Sequence, residues 1–245
     1  MRVALFGYGK MGKEIEKILI NRGHSIVEKI DKSTNLSNLK LENIDVAIEF
    51  STPQSAEKNI RFCLNNHLPI IIGTTGWYHH FNDLKSISEA ENGALVYGTN
   101  FSIGVNIFFA VNSALAKIMN ADLGYTCGVK EIHHTEKKDA PSGTGITIAE
   151  DIISEIDVLT DWENVNKSKI SNPHTLSLES ERLPNVPGTH IVSYENEIDK
   201  IDLIHTAKNR TGFALGSVLA AEWIINNKGF FSIKEIMPKL IKELI

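Results

Sequence analysis

"RVALFGYGKMGKEIEKILINRG", residues 2–23, decides the fold. Residues 2–6 are a short apolar run of the kind that forms a buried strand. Gly7, Gly9 and Gly12 follow at once. Met11, Ile15, Ile18, Leu19 and Arg22 then recur at helical spacing, and Gly23 supplies a stop. Strand, glycine turn and helix in this order open a dinucleotide-binding unit. Glycines permit the tight turn and let the backbone approach a pyrophosphate, while the helix start offers N–H groups and a partial positive charge. Gly7, Tyr8, Gly9, Lys10, Met11 and Gly12 are therefore the candidate cofactor cradle. A glycine-rich turn in some other α/β protein is the competing reading; the match in position as well as pattern favours the dinucleotide.

The next strand, "SIVEKID" at 25–31, ends on Asp31, where a carboxylate can accept hydrogen bonds from the adenosine ribose. Such a carboxylate favours NADH, whereas the adjacent Lys32 can tolerate a 2′-phosphate, so the pair leaves NADH against NADPH open. Further strand–helix units follow. "IDVAIEFS" (44–51) leads into a helix through Thr52 as N-cap and Pro53 at the first helical position. "PIIIGTTG" (69–76) and "ALVYGTNFS" (94–102) are strands ending in polar turns. Ligands of an open parallel sheet sit outside the carboxyl ends of its strands. Gly73, Thr74 and Thr75, with Gly98, Thr99, Asn100 and Phe101, are then candidate walls of a nicotinamide site, against the plainer reading of ordinary turns.

From about residue 103 the character changes. "SIGVNIFFAVNSALAKIMN" predicts a helix, "LGYTCGVKEIHH" a strand, and Ala149, Ile152, Ile153 and Ile156 a second helix. Residues 160–188 are polar and carry Asn-Pro, Leu-Pro and Val-Pro-Gly breakers, which predicts a long irregular loop. "THIVSYE" and "KIDLIHTA" predict an antiparallel hairpin. Residues 212–229 predict an apolar helix, and Ser232 with Glu235 fits a capping box for a last short one. The expected division is a nucleotide domain of residues 1–102 and 211–245 and a mixed α+β substrate domain of residues 103–210.

Composition narrows the function. The 245 residues are 42% hydrophobic and 22% charged, ordinary for a globular protein, and the net charge of -5 gives no basic footprint for nucleic acid. No apolar run is long enough to cross a bilayer, and the first residues lack a signal peptide's layout. The only cysteines, Cys63 and Cys127, read as reduced and structural, which fits the cytoplasm.

"EIHHTEKKDAPSGTG", residues 131–145, concentrates the chemistry. His133 and His134 bring imidazole, the one side-chain type whose unperturbed form titrates near neutral pH. Lys137 and Lys138 add positive charge, and Ser142, Gly143 and Thr144 stand at a predicted helix start, where hydroxyls and N–H groups can bind a carboxylate or phosphate. The set suits a small anionic substrate and a proton donor; a solvated loop with a helix cap is the plainer alternative. No metal is expected, because no third or fourth ligand has sensible spacing. His79 and His80 read as surface residues.

This stretch resembles the E-x-H-H-x-x-K-x-D-A-P-S-G-T signature of the dihydrodipicolinate reductases. "GYGKMG", "IIGTTGW", "GTNFSIGVN", "VPGTHIVSYE", "IHTAKNRTGFALGS" and "AAEW" extend the resemblance over nearly the whole chain in the family's order. The resemblance implies NADH- or NADPH-dependent reduction of a cyclic dicarboxylate, 4-hydroxy-tetrahydrodipicolinate, with loss of water, in the diaminopimelate route to lysine. It also implies a Rossmann-like nucleotide domain, a substrate domain whose mixed sheet builds a homotetramer, and closure by hinge motion. On this chain it makes His133 the proton donor or acceptor, Lys137 a second donor and His134 a substrate contact. Gly143 and Thr144 become the carboxylate cradle, joined by Ser142 at the same helix start, and Arg210 a residue near the substrate. The chain is short for the family, its glycine turn is one residue tighter than is common, and "DKSTN" after the second strand is an unusual specificity loop.

Overall fold

The computed structural model describes residues 1–121, 124–165 and 172–242. The chain forms two compact units, residues Met1–Ile103 with Arg210–Ile245, and Gly104–Asn209. Ile103 and Arg210, expected in the second domain, both fall in the first unit; Ile103 packs on its core and Arg210 caps one of its helices.

In the first unit β1 (Arg2–Phe6), β2 (Ser25–Ile30), β3 (Val46–Glu49), β4 (Ile70–Ile72), β5 (Ala94–Tyr97) and β11 (Gly229–Ser232) form one sheet. Its order is β11-β5-β4-β3-β1-β2, and every pair is parallel. Both faces are covered, which is why these strands read as continuous apolar runs. Val3, Leu5, Val46, Ile48, Ile71 and Val96 face α1 (Lys10–Asn21), α6 (Thr211–Ile224) and α7 (Ile233–Lys242). Ala4, Phe6, Ala47, Ile70, Ile72 and Leu95 face α2 (Pro53–Asn65) and α3 (Phe81–Ala90). At roughly 1.5–3 kcal/mol for each large side chain buried, this two-sided alternation outweighs any single polar contact in setting the sheet's register. Helix α6 lies so close to the segment after β5 that a Cβ at Gly216 would collide with the Phe101 carbonyl.

The second unit has a mixed sheet, β10-β9-β6-β8-β7. Its strands are β6 (Thr126–His133), β7 (Asp161–Asn164), β8 (Thr175–Arg182), β9 (Thr189–Glu195) and β10 (Lys200–Thr206). Strands β6, β8 and β7 run parallel, while β9 pairs antiparallel with β6 and β10. Helices α4 (Ile103–Met119) and α5 (Gly143–Glu155) cover one face through Phe108, Phe109, Ile148 and Ile152. The long irregular loop expected over 160–188 is corrected by β7 and β8. Its prolines fall outside these strands instead of interrupting them, and Leu176 and Leu178 alternate inward. Residues 166–171 of that stretch lie outside the described residues. The expected hairpin is β9–β10, and the capping box is present as Ser232 N–H to Glu235 at 2.6 Å with Glu235 N–H to Ser232 at 3.3 Å.

Glu49 ends β3 on the α2 face and is fully buried. Its Oε1 accepts from the Ser51 hydroxyl, Ser51 N–H (3.2 Å) and Asn59 Nδ2 (3.3 Å), while Oε2 has no hydrogen-bond partner. Burial pushes its pKa above the ordinary carboxylate value, and the surrounding donors only partly offset this. A folded-state value above the unfolded one means stability is full at low pH and is lost as pH rises through the raised value. Glu49→Gln is therefore expected to keep the bonds accepted by Oε1, raise the urea midpoint at neutral pH and flatten its decline above pH 4.5. Denaturation curves at several pH values check this; an unchanged slope would show that Glu49 is not the titrating group.

Candidate active site

In the first unit the strand order reverses at β1, so the carboxyl ends of β1 and β3 flank a crevice of the kind where dinucleotides lie. Gly7 leaves β1 with φ +93° and its N–H on Ile30 O at 2.8 Å; a side chain there would strike the Phe50 carbonyl. Gly9 is the N-cap of α1, no side chain caps that helix, and the space beside Gly9 is open. A pyrophosphate fits this cradle: a sterically enforced turn, an uncapped helix start and room for a ligand.

The surrounding side chains are fixed. Tyr8 donates to Glu16 and accepts from Lys29 Nζ at 3.0 Å, which also lies 4.1 Å from its ring centroid. Met11 packs on the core, and Gly12 sits tight against the Gly7 carbonyl. Lys10 is the first residue of α1 and exposed. Asp31 is exposed just past β2, and its Oδ1 accepts from Ser33 N (2.8 Å), Ser33 Oγ (2.6 Å) and Thr34 Oγ1 (3.2 Å). Those bonds, the Ser33 hydroxyl first, hold its carboxyl below the usual range, so it stays an acceptor. Lys32 beside it is exposed. Of the expected walls, Thr74 Oγ1 accepts from Ser51 N–H at 2.8 Å, Gly73 lies against the Phe50 ring, and Thr75 is exposed. Gly98 is closed off by Ile233, Thr99 is half-buried, Asn100 bonds Ser102 N–H at 2.9 Å, and Phe101 belongs to the core. Glu49, which ties the turn after β3 to Thr74, was missed by sequence reasoning; its signal was an acid ending an otherwise apolar strand.

In the second unit one sheet face changes character along its length. Val129, Leu176, Leu178 and Val192 are apolar where the helices cover it. Farther along the same alternation come Glu131 and His133 on β6, Ser180 and Arg182 on β8, and His190 on β9. Register places Glu131 opposite both Ser180 and His190, and His133 opposite Arg182. Glu131 has no exposure. It accepts from Ser142 N–H (2.9 Å), the Ser142 hydroxyl, Ser180 Oγ (3.0 Å) and Arg182 Nη2 (3.3 Å). Ser142 in turn caps α5 by accepting from Gly145 N–H at 3.0 Å, so its hydroxyl is engaged inward. Gly143 and Thr144 form the first residues of that helix, Thr144 being buried.

His133 lies with Nδ1 3.6 Å from Glu131 Oε2 and its ring edge-on to His190, centroids 5.1 Å apart. Nδ1 is inaccessible, and a methyl added at Gly188 would stand 3.1 Å from Nε2. Burial lowers His133 to about 4, with Glu131 opposing and Lys137 and Arg182 assisting. His190 is lowered to about 3 by burial and by its neighbours His133, His205 and Lys137. Both imidazoles are thus neutral near pH 7. His134 is half-buried and its carbonyl accepts from Lys137 N–H at 3.1 Å. Lys137 Nζ bonds Asp139 Oδ2 at 2.8 Å, and Lys138 is exposed. Arg210, on the first unit, is exposed and N-caps α6 with its backbone. His80 stands 3.4 Å from Glu57, and His79 is exposed.

The sequence spacing offers no third metal ligand, but the folded sheet brings one near. Strand pairing gathers Glu131, His133 and His190 with ligand atoms within 4.8 Å of one another, a proximity invisible in the spacing because His190 arrives from β9. The donor set nevertheless suits a hydrogen-bonded network better than a cation. Glu131 is already occupied by Ser142, Ser180 and Arg182, and the guanidinium brings its own positive charge.

A family model for the N-terminus of dihydrodipicolinate reductase matches residues 1–101, and one for its C-terminus matches residues 104–237. The chain is 43% identical over 242 residues to the 4-hydroxy-tetrahydrodipicolinate reductase of Christiangramia forsetii, covering 99% of this chain and 100% of that one. It is 35% identical to the enzyme of that name from Thermosipho africanus, covering 98% and 99%. Among solved structures it is similar to a dipicolinate-bound dihydrodipicolinate reductase from Paenisporosarcina sp. TG-14, with TM-score 0.78, 22% identity, and coverage of 96% and 99%.

The two depressed imidazoles set a pH dependence. The unfolded chain binds more protons than the folded one below 6.5, so their contribution is complete above 6.5 and is lost as pH falls through about 4 and then about 3. His190→Gln is expected to flatten the fall of the denaturation midpoint between pH 6.5 and about 3. An undiminished slope would assign it to other groups.

Proposed function

The chain belongs to the dihydrodipicolinate reductase family, and we propose from that premise how its residues share the work. It is an NAD(P)H-dependent oxidoreductase that reduces 4-hydroxy-tetrahydrodipicolinate to tetrahydrodipicolinate, with loss of water, in the diaminopimelate route to lysine. A bound reduced nicotinamide dinucleotide supplies hydride to the substrate ring. Gly7 to Gly12 would hold its pyrophosphate at the start of α1, and Asp31 would accept from the adenosine ribose. Gly73, Thr74 and Thr75, with Gly98 and Thr99, line the nicotinamide end. The single observation that carries the substrate side is the polar end of the second sheet, where His133, Lys137 and the α5 start converge on a loop rich in cations.

His133 rests as a neutral imidazole because it is buried. A dicarboxylate brought beside it favours the charged form, so the substrate itself prepares the proton donor. Lys137 is the second donor, and its partner Asp139 holds its ammonium in place until a substrate carboxylate competes for it. Gly143 and Thr144 N–H groups and His134 receive the carboxylates. NADH and NADPH are both used: Asp31 serves the first, and Lys32 tolerates the phosphate of the second. The enzyme works in the cytoplasm as a homotetramer; among the described residues no helix is long and apolar enough to cross a membrane, and Ile201 and Ile204 on edge strand β10 are exposed.

The direct test generates the substrate in situ from pyruvate and aspartate semialdehyde with the preceding synthase and follows nicotinamide oxidation. Oxidation that depends on the synthase is expected. His133→Ala and Lys137→Ala should each lower kcat by roughly 10²–10⁴-fold with unchanged cofactor Kd; matching loss of cofactor affinity would overturn the assignment. Asp31→Ala should weaken NADH more than NADPH, as read by fluorescence titration with each. Equal weakening would remove Asp31 from the ribose.

A further inference from the structure

Arg182 is absorbed by none of the roles above, yet it joins the catalytic strand to the catalytic loop. It ends β8 directly opposite His133, and four-fifths of its side chain is buried. Its Nη2 donates to Glu131 Oε1 at 3.3 Å and to the Asp139 carbonyl at 2.5 Å, and its Nη1 donates to the Glu181 carbonyl at 2.9 Å. Asp139 carries the carboxylate that holds Lys137 Nζ. Glu131 meanwhile holds Ser142, where the loop enters α5, and faces Nδ1 of His133. One guanidinium and one carboxylate therefore fasten residues 134–142 at its middle and its end, and do so from the strand ends that present His133.

We propose that Arg182, acting with Glu131, is the positioning residue for proton transfer, setting the place of Lys137 through Asp139 and the orientation of His133 through Glu131. This rests on the assignment of His133 and Lys137 above. The planar fork is needed because Nη2 meets Glu131 and the Asp139 carbonyl while Nη1 is held on the Glu181 carbonyl, an arrangement that a lysine ammonium on a flexible stem reproduces less well. The Glu131 carboxylate stands 3.6 Å from Nδ1, beyond a hydrogen bond, so it acts on the ring through its charge, which favours the tautomer protonated at Nδ1 and leaves Nε2 to exchange the proton. Displacing catalytic groups by about 1 Å is enough to cost about 10²-fold in rate.

Arg182→Lys keeps the charge and the fold but loses the fork; Arg182→Gln removes the charge as well. Both are expected to lower kcat, by about 10²-fold for the glutamine variant and less for lysine, with KM and cofactor Kd little changed. In a Lys137→Ala background the same substitutions should cost clearly less than in the wild type, because only the part that runs through His133 remains. Amide exchange over residues 134–142 should quicken by about tenfold in Arg182→Gln, read without turnover. Wild-type kcat in Arg182→Lys, a full further loss in the Lys137→Ala background, or unchanged exchange would each overturn the proposal. A rise in KM alone would overturn it too, by making Arg182 a substrate contact. Wild-type protein that binds cofactor but reduces nothing sinks the reaction assignment instead, and the exchange measurement still decides the positioning.

Discussion

A carboxylate with no exposure, Glu131, is the constraint around which the second unit is arranged. A buried carboxylate is tolerable only where donors replace water. Its donors come from two places: Ser142 at the start of α5, and strand β8, which supplies the Ser180 hydroxyl and the Arg182 guanidinium. Satisfying it fixes the register of β8 against β6 and the point at which α5 begins. It also forbids a side chain at Gly145, whose Cβ would come within 2.8 Å of Oε2. His133 lies two residues along the same strand face, so whatever positions Glu131 positions the imidazole.

The first unit solves a related problem differently. Glu49 also ends a strand in the interior, but the donors that reach it are neutral, and burial raises it above the ordinary carboxylate value. It serves as a brace between the turn after β3 and Thr74. Glu131 has a cation within reach and can work as an electrostatic partner to His133 and Arg182. Neighbouring charge, more than burial alone, separates a carboxyl that braces from one that orients.

The βα units of the first hundred residues were legible because each fact was local: glycines beside a strand, an N-cap before Pro53, apolar residues at helical period. The histidine and lysine loop was legible for the same reason. Strand β8 was not, because a strand with one polar face and flanking prolines looks like a loop until Leu176 and Leu178 are seen to pair with β6. Arg182, His190 and the role of Glu131 were hidden more deeply. Their meaning lies in the pairing of β6 with β8 and β9, a contact across about fifty residues that no local pattern encodes. Ser142 shows what local pattern leaves out: its type and place mark a helix start that can meet a ligand, while tertiary packing also turns its hydroxyl onto Glu131.

Sheet geometry also explains why the proton-handling groups stand where they do. A mixed sheet covered by two helices must change from apolar to polar where that cover ends, and here the change coincides with the first turn of α5. The helix start contributes partial positive charge, Arg182 and Lys137 contribute full charges, and both imidazoles are kept neutral by burial. Burial is the larger cause of that neutrality, since the carboxylates of Glu131 and Asp139 pull His133 the other way. In the proposed reaction a dicarboxylate beside His133 would add two more negative charges to that pull and favour imidazolium against the desolvation. On that assignment protonation is tied to substrate, and the buried network around Glu131 fixes the place of the imidazole that receives it.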